Sequence, residues 1–273
     1  MNKSQILLAI LFALSTMIGP LGIDTYLPSF HAIGHDFDVG PAVVQQTLSV
    51  YVFAMAATML FYGTISDTFG RRRVLIVSVI GYFITSIAAA FVPNIQALIF
   101  IRFLQGLFAG SGIIVRAMVQ DKYQGPDAQR MMSMVMMVFS LAPALAPVFG
   151  GWLQSHGGWR ATFYFLAAFS ALLVLLFWRL LPETLPVERR TPLELRAITN
   201  NYLQALGNRK FRMLLLGLAL MAGANSIYIS SAAEFVISIL GLSATSLGWL
   251  FIPLISGTML GSAASSVLAK RLS

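Results

Sequence analysis

The chain has 273 residues, of which 58% are hydrophobic and only 10% charged, whereas a soluble domain carries about a quarter charged residues. With a mean hydropathy of +0.80 it reads as an all-α polytopic membrane protein rather than a dissolved globular domain. The net charge of +8 collects in a few loops rather than on one face, which excludes a nucleic-acid surface, and the lack of cysteine excludes disulfides, thiolate metal sites and cysteine nucleophiles.

A spanning helix takes about 20 mostly apolar residues, and the apolar runs here are too long and continuous for barrel strands. The first run, 5–29, follows Lys3 like a secretory signal but lacks a convincing cleavage site, so it reads as a membrane helix. It contains Asp24 and Tyr26 within Gly22-Ile23-Asp24-Thr25-Tyr26-Leu27-Pro28. A carboxylate at the centre of an apolar helix costs about 2.5–3.5 kcal/mol. Asp24 is therefore either functional, binding a proton or attracting a cation, or hydrated near the outer interface.

The second and third runs, 43–62 and 74–92, flank Gly63-Thr64-Ile65-Ser66-Asp67-Thr68-Phe69-Gly70-Arg71-Arg72-Arg73. This segment predicts a tight surface loop. Gly63 and Gly70 allow the turns, Arg71, Arg72 and Arg73 fix the loop on the cytoplasmic side, and Asp67 offers them a partner. The fourth run, 95–118, carries Arg102 and Gln105. A buried arginine stays charged and needs acceptors; Asp24 or backbone carbonyls of the first helix are the candidates. From these residues alone Arg102 is a structural bridge holding helices together. Arg116 and Asp121, at the cytoplasmic end of that helix, are expected to join Asp67 and Arg71 in a charge cluster that acts as a gate.

The fifth run, 131–153, holds Ala142, Ala146, Pro147, Gly150 and Gly151. Small residues permit close helix packing and the proline bends the helix. After the sixth run, 161–181, comes the one long polar segment, 182–212. Thr191-Pro192-Leu193-Glu194 starts a helix there, and Leu195, Ile198, Tyr202, Leu203 and Leu206 recur at helical spacing. That is an amphipathic helix on the membrane surface or a solvated linker helix. The seventh run, 213–240, is the most polar, with Asn225, Tyr228 and Glu234. These residues are placed to line a cavity facing Asp24, with a position near the outer surface equally open for Glu234. The eighth run is 245–268. The expected organisation is a six-helix bundle over 1–181, a linker over 182–212 and two further helices over 213–273.

Lys3, Lys122, Arg130, Arg189, Arg190 and Lys270 fall on the same side as Arg71 to Arg73 if the spans alternate. His31, His35, Asp36, Asp38 and His156 fall opposite, and only Arg160 breaks the asymmetry. The amino terminus is therefore expected in the cytoplasm. The histidines lack metal-ligand spacing, so no metal is expected, and no phosphate-binding G-x-x-x-x-G-K-[ST] loop occurs. An ion gradient has to supply the energy for any transport.

The spacing from Gly63 through Asp67 and Gly70 to Arg73 resembles the signature between helices 2 and 3 of the major facilitator superfamily. The surroundings of Arg102, Gln105 and Gly106 resemble that family's fourth-helix motif, which implies a proton-coupling role for Arg102. Ala142 to Gly151 resembles its antiporter motif, with alanines at 142 and 146 replacing glycines. Leu21, Gly22 and Pro28 match the first-helix motif in part, with His31 in place of its second proline. Together with Pro182-Glu183-Thr184-Leu185, the chain is most similar to the Bcr/CflA branch of drug:proton antiporters. The resemblance implies a six-plus-six helix fold, of which this chain holds the first six helices and about two of the second half. Ser266 to Ser273 looks like a degenerate second signature, with Lys270 where Asp67 would sit, so the chain reads as a fragment. The resemblance further implies a monomer in the bacterial inner membrane that is not an enzyme and uses no cofactor beyond protons as coupling ion. Its partners are then amphipathic drug-like substrates, such as bicyclomycin- or chloramphenicol-like compounds, and the lipid bilayer. The alternatives are a solute symporter and a non-transporting membrane protein.

Overall fold

The computed structural model describes residues 3–139, 142–192, 195–241 and 256–257. The eighth expected span, 245–268, and the basic residues at 270 and 271 lie outside them. Eleven α-helices follow one another among the described residues: α1 (Lys3–Thr16), α2 (Ile18–Asp24), α3 (Phe30–Asp36), α4 (Pro41–Phe69), α5 (Arg71–Ala90), α6 (Ile95–Leu107), α7 (Ser111–Lys122), α8 (Gly125–Phe139), α9 (Ala142–Leu180), α10 (Leu195–Gly207) and α11 (Arg209–Glu234). A five-residue π-turn, Phe235–Ile239, continues α11.

Four stretches are long and apolar enough to cross a membrane: Pro41–Phe69, Arg71–Ala90, Ile95–Lys122 and Leu145–Leu180. A pair bent by 43°, Gln5–Thr16 with Ile18–Asp36, makes a fifth. The Leu145–Leu180 stretch is itself folded. Gly158 has φ 70°, and the rings of Phe149 and Phe165 lie 4.8 Å apart. Sixteen residues of straight helix span about 24 Å, so α9 doubles back at Gly158 and supplies the sixth expected span and the second part of the fifth, whose first part is α8.

Local sequence explains where the helices start and stop. Pro41 sits in the first turn of α4 after an extended Gly40, where its missing N–H is not needed. Asn94 is extended and its side chain accepts from Ala97 N at 2.8 Å, a cap worth about 1 kcal/mol. The signature segment departs from its expected loop. Helix α4 runs through Gly63 and Asp67 to Phe69, and Gly70 alone makes the turn, with φ 93° and ψ 140°. Helix α4 tolerates Gly63 and nothing from Thr64 to Phe69 breaks it, so the segment that carries Asp67 extends α4 by about two turns beyond its apolar part. The fourth span is broken rather than continuous, with α6 ending at Leu107 and α7 starting at Ser111.

The interior between α1, α4, α5, α7 and α9 is closed by Phe12, Tyr51, Leu75, Tyr82, Ile114, Phe163 and Phe177, all fully buried. Phe53, Val77, Ile84, Phe100, Leu175 and Trp178 face outward, each more than half exposed. Large apolar side chains outside and charged or hydroxyl-bearing ones within suit a hydrocarbon surround, where helices satisfy their own backbone groups. Helix α10 reaches α4 through Tyr202, whose hydroxyl donates to Leu60 O at 2.6 Å.

Candidate functional site

Arg102 lies on α6 and is fully buried, with Gln105 one turn on and equally buried. Its Nη1 donates to Gln105 Oε1 at 2.6 Å and its Nη2 to Gly22 O at 2.9 Å. Gln105 passes the contact on, donating from Nε2 to Ser86 Oγ at 2.7 Å, and Ser86 donates to Tyr82 O at 2.7 Å. The guanidinium is sandwiched by aromatic faces, 4.0 Å from the centre of the Tyr51 ring and 4.5 Å from that of Tyr26. Desolvated cation–π contacts of this kind contribute about 2 kcal/mol or more. They offset part of the penalty of burying a charge that has no ion-pair partner.

The first-helix segment is locked onto this cluster. Tyr51 donates to Gly19 O at 3.0 Å, and the Tyr26 hydroxyl shares a hydrogen bond of 2.7 Å with Thr47 Oγ1. Asp24 closes α2 and is 4% exposed, so the surrounding protein shields its carboxyl from solvent. Among the described residues no ion pair or hydrogen bond reaches its carboxylate, and Arg102 takes the carbonyl of Gly22 instead. Asp24 and Arg102 both lie within electrostatic reach of the Tyr51 hydroxyl. Among the described residues Arg102 Nε finds no hydrogen-bond partner, and the Tyr82 and Tyr51 hydroxyls both lie against Gly22.

The Ala142–Gly151 segment covers the other side of this turn. Ala142, Ala146, Pro147, Gly150 and Gly151 are all buried. At Gly150 a β-carbon would fall on the backbone of Thr25, the residue after Asp24. Only glycine lets the two chains approach so closely there.

A second cluster ties the helix ends near Gly70. Arg71 pairs with Asp67 at 2.5 Å and with Asp121 at 3.0 Å, and donates to Ser66 Oγ at 2.6 Å. Glu183, just after α9, accepts from the backbone N–H groups of Arg71 at 3.1 Å and Arg72 at 3.5 Å. It therefore places a carboxylate on the positive N-terminal end of α5. Arg190 approaches Glu183 at 3.8 Å, Thr184 Oγ1 donates to Asp121 at 3.2 Å, and Thr191 N donates to Asp67 O at 3.3 Å. Arg72 donates to Trp178 O at 2.7 Å, whereas Arg73 is exposed.

Several expected residues stand elsewhere. Arg116 is exposed and forms no ion pair among the described residues, because α7 turns it away from the face that carries Asp121. Gly63 is helical with open space where a β-carbon would go, so it serves no turn. Tyr228 is 39% exposed on α11; the side chains of Asn225 and Glu234 lie outside the described set. Tyr26 is fully buried as one wall of the arginine cage. Tyr51, Tyr82 and Ser86 escaped the sequence reading, since nothing in their spacing points to Arg102. Glu183 carried a usable signal, an acidic residue directly after a proline at a span end.

The sequence profile of the Major Facilitator Superfamily matches residues 12–273. A bicyclomycin resistance protein homolog of Haemophilus influenzae is 29% identical over 251 residues, which are 92% of this chain and 63% of that protein. Multidrug resistance protein D of Escherichia coli K12 is 29% identical over 255 residues, again 92% of this chain and 63% of the relative. An uncharacterized MFS-type transporter of Bacillus subtilis, YdgK, is 33% identical over 245 residues, 89% of this chain and 61% of its own. The chain thus spans somewhat over three fifths of the length of these relatives. In fold it is similar to the crystal structure of a bacterial homolog of the human lysosomal transporter Spinster in an inward-facing, unoccupied conformation. The TM-score is 0.79 at 17% identity, covering 99% of this chain and 64% of that one.

Proposed function

The chain belongs to the major facilitator superfamily, and from that premise we propose that it forms the proton-handling half of an exporter of amphipathic drug-like molecules. The observation that carries this reading is Asp24, a buried carboxylate on a short helix whose Gly22 carbonyl, two residues earlier, is held by a buried arginine. The drug-resistance names of two relatives support the choice of cargo, and the small-residue segment Ala142–Gly151 supports export over import.

The mechanism follows from charge. Ionised Asp24 and the Arg102 cation do not touch, yet together they leave this low-dielectric region with no net charge. One further positive charge, a proton or a cationic cargo, binds there favourably; two do not, because like charges repel strongly where water is excluded. Proton and cargo therefore compete for one carboxylate. A proton entering from outside releases cargo, and cargo binding from the cytoplasm expels the proton. Arg102 holds Gly22 O in one arrangement, and a change in the charge of Asp24 two residues on shifts that balance, moving α2 against α6. The Asp67–Arg71–Asp121 cluster, strapped by Glu183, then closes the cytoplasmic end. The amino terminus lies in the cytoplasm of a bacterial cell, with the basic loops. A membrane potential contributes about 2.3 kcal/mol per charge per 100 mV, so each proton supports roughly fifty-fold accumulation.

In everted membrane vesicles carrying the protein, an imposed pH gradient is expected to drive a fluorescent amphipathic drug into the lumen, and Asp24→Asn to abolish that uptake while leaving downhill equilibration. Uptake that persists in Asp24→Asn contradicts the proton role. Drug movement in the opposite direction contradicts export.

A further inference from the structure

At the end of the bundle opposite Arg71 a cleft of about 650 Å³ opens between the α3–α4 turn and the end of α11. That volume lies in the range of drug-sized ligand sites, about 300–1,000 Å³. Phe30, His31, His35 and Asp38 line one wall, Phe235 and Ile239 the other. Asp24 is not part of it, so the cleft is separate from the buried carboxylate.

Three features of this cleft coincide. First, its charge is uncompensated. Asp36, two residues earlier, is neutralised by Arg160 at 2.9 Å and accepts from Trp159 Nε1 at 3.0 Å. Asp38 forms no ion pair or side-chain hydrogen bond among the described residues. Second, Asp38 stands at φ 52°, a left-handed conformation that L-residues other than glycine and Asn/Asp seldom adopt and that clusters at functional sites. Third, the opposite wall is the π-turn Phe235–Ile239, an arrangement that recurs at functional sites. A carboxylate with two aromatic side chains in one wet cleft is the chemistry that recognises an organic cation.

We infer that this cleft is a second binding site, for a drug-sized amphipathic monocation. It deepens the export reading by adding a place where cargo pauses outside Asp24, but its occupancy does not depend on transport.

The test is equilibrium binding of tetraphenylphosphonium to the full chain in nanodiscs of uncharged lipid. Two classes of site are expected. Asp38→Asn, which keeps the left-handed backbone accessible, weakens one class about fivefold and leaves the other. His35→Lys, which sets a permanent positive charge in the cleft, acts on the same class. Asp24→Asn acts on the other class and serves as the folded control for the first. Isotherms of Asp38→Asn and His35→Lys that superimpose on the unaltered protein overturn the inference, as does a single class lost entirely in Asp24→Asn. If instead Asp24→Asn changes neither class while Asp38→Asn weakens one, the cleft stands and the export reading fails.

Discussion

Replacing Arg102 with Met removes pH-gradient-driven transport while leaving the protein folded. The opposing terms decide this. The substitution orphans two buried acceptors, Gly22 O and Gln105 Oε1, at about 1–3 kcal/mol each. It also removes the desolvation cost of a buried cation that has no ion-pair partner, on the order of several kcal/mol, which opposes those losses. Thermal unfolding is therefore expected to move little. Coupling is a different matter, because the link from α6 to α2 runs through the guanidinium. A drop in coupled transport of about 10- to 100-fold is expected, the range that coupling free energies of this size represent. Arg102→Lys is expected to fare almost as badly. One ammonium cannot meet Gly22 O and Gln105 Oε1 in a fixed fork while lying between two tyrosine rings. Transport retained in Arg102→Lys would reduce the arginine to a point charge and remove the argument from its geometry.

The second large effect falls on Gly150. A valine there puts its β-carbon onto the Thr25 backbone, and no flexible side chain can yield. Overpacking costs about 1–3 kcal/mol when neighbours can adjust; here only separation of α9 from the end of α2 relieves it, so the upper end is expected. The same shift displaces Asp24, so loss of stability and loss of transport come together, measured as thermal unfolding and vesicle uptake. Gly63→Ala is the contrasting control. It is helical with open space around it, and alanine there is neutral or slightly stabilising. A Gly150→Val protein as stable as the Gly63→Ala protein would mean that the close approach to Thr25 is not maintained.

Much of this was legible in the sequence because it depends on short-range pattern. The apolar runs locate the first six spans, since hydrocarbon leaves helices as the only economical form for such segments. Asp67 and Arg71 are four residues apart, near enough in sequence for their opposite charges to pair across the Gly70 turn. Arg102 and Gln105 are three apart and meet as neighbours on one helix. What escaped was non-local. The cage around Arg102 draws Tyr51 from α4, and its hydrogen-bond chain reaches Ser86 on α5 through Gln105; no spacing along the sequence records that convergence. The signature segment misled in a different way. Its charges suggested a loop, but Thr64 to Phe69 contain no helix breaker, so α4 continues and a single glycine makes the turn. Arg116 failed on helical phase, since its five-residue offset from Asp121 places the two on different faces of α7.

The central claim is that Asp24 carries the proton that cargo displaces. Infrared difference spectroscopy on drug addition reads this directly, through the C=O stretch of a protonated carboxyl group. The unaltered protein is expected to lose that band as drug binds, and Asp24→Asn to show no such loss. A band that disappears equally in Asp24→Asn, or drug binding with no change in any carboxyl band, would contradict the account.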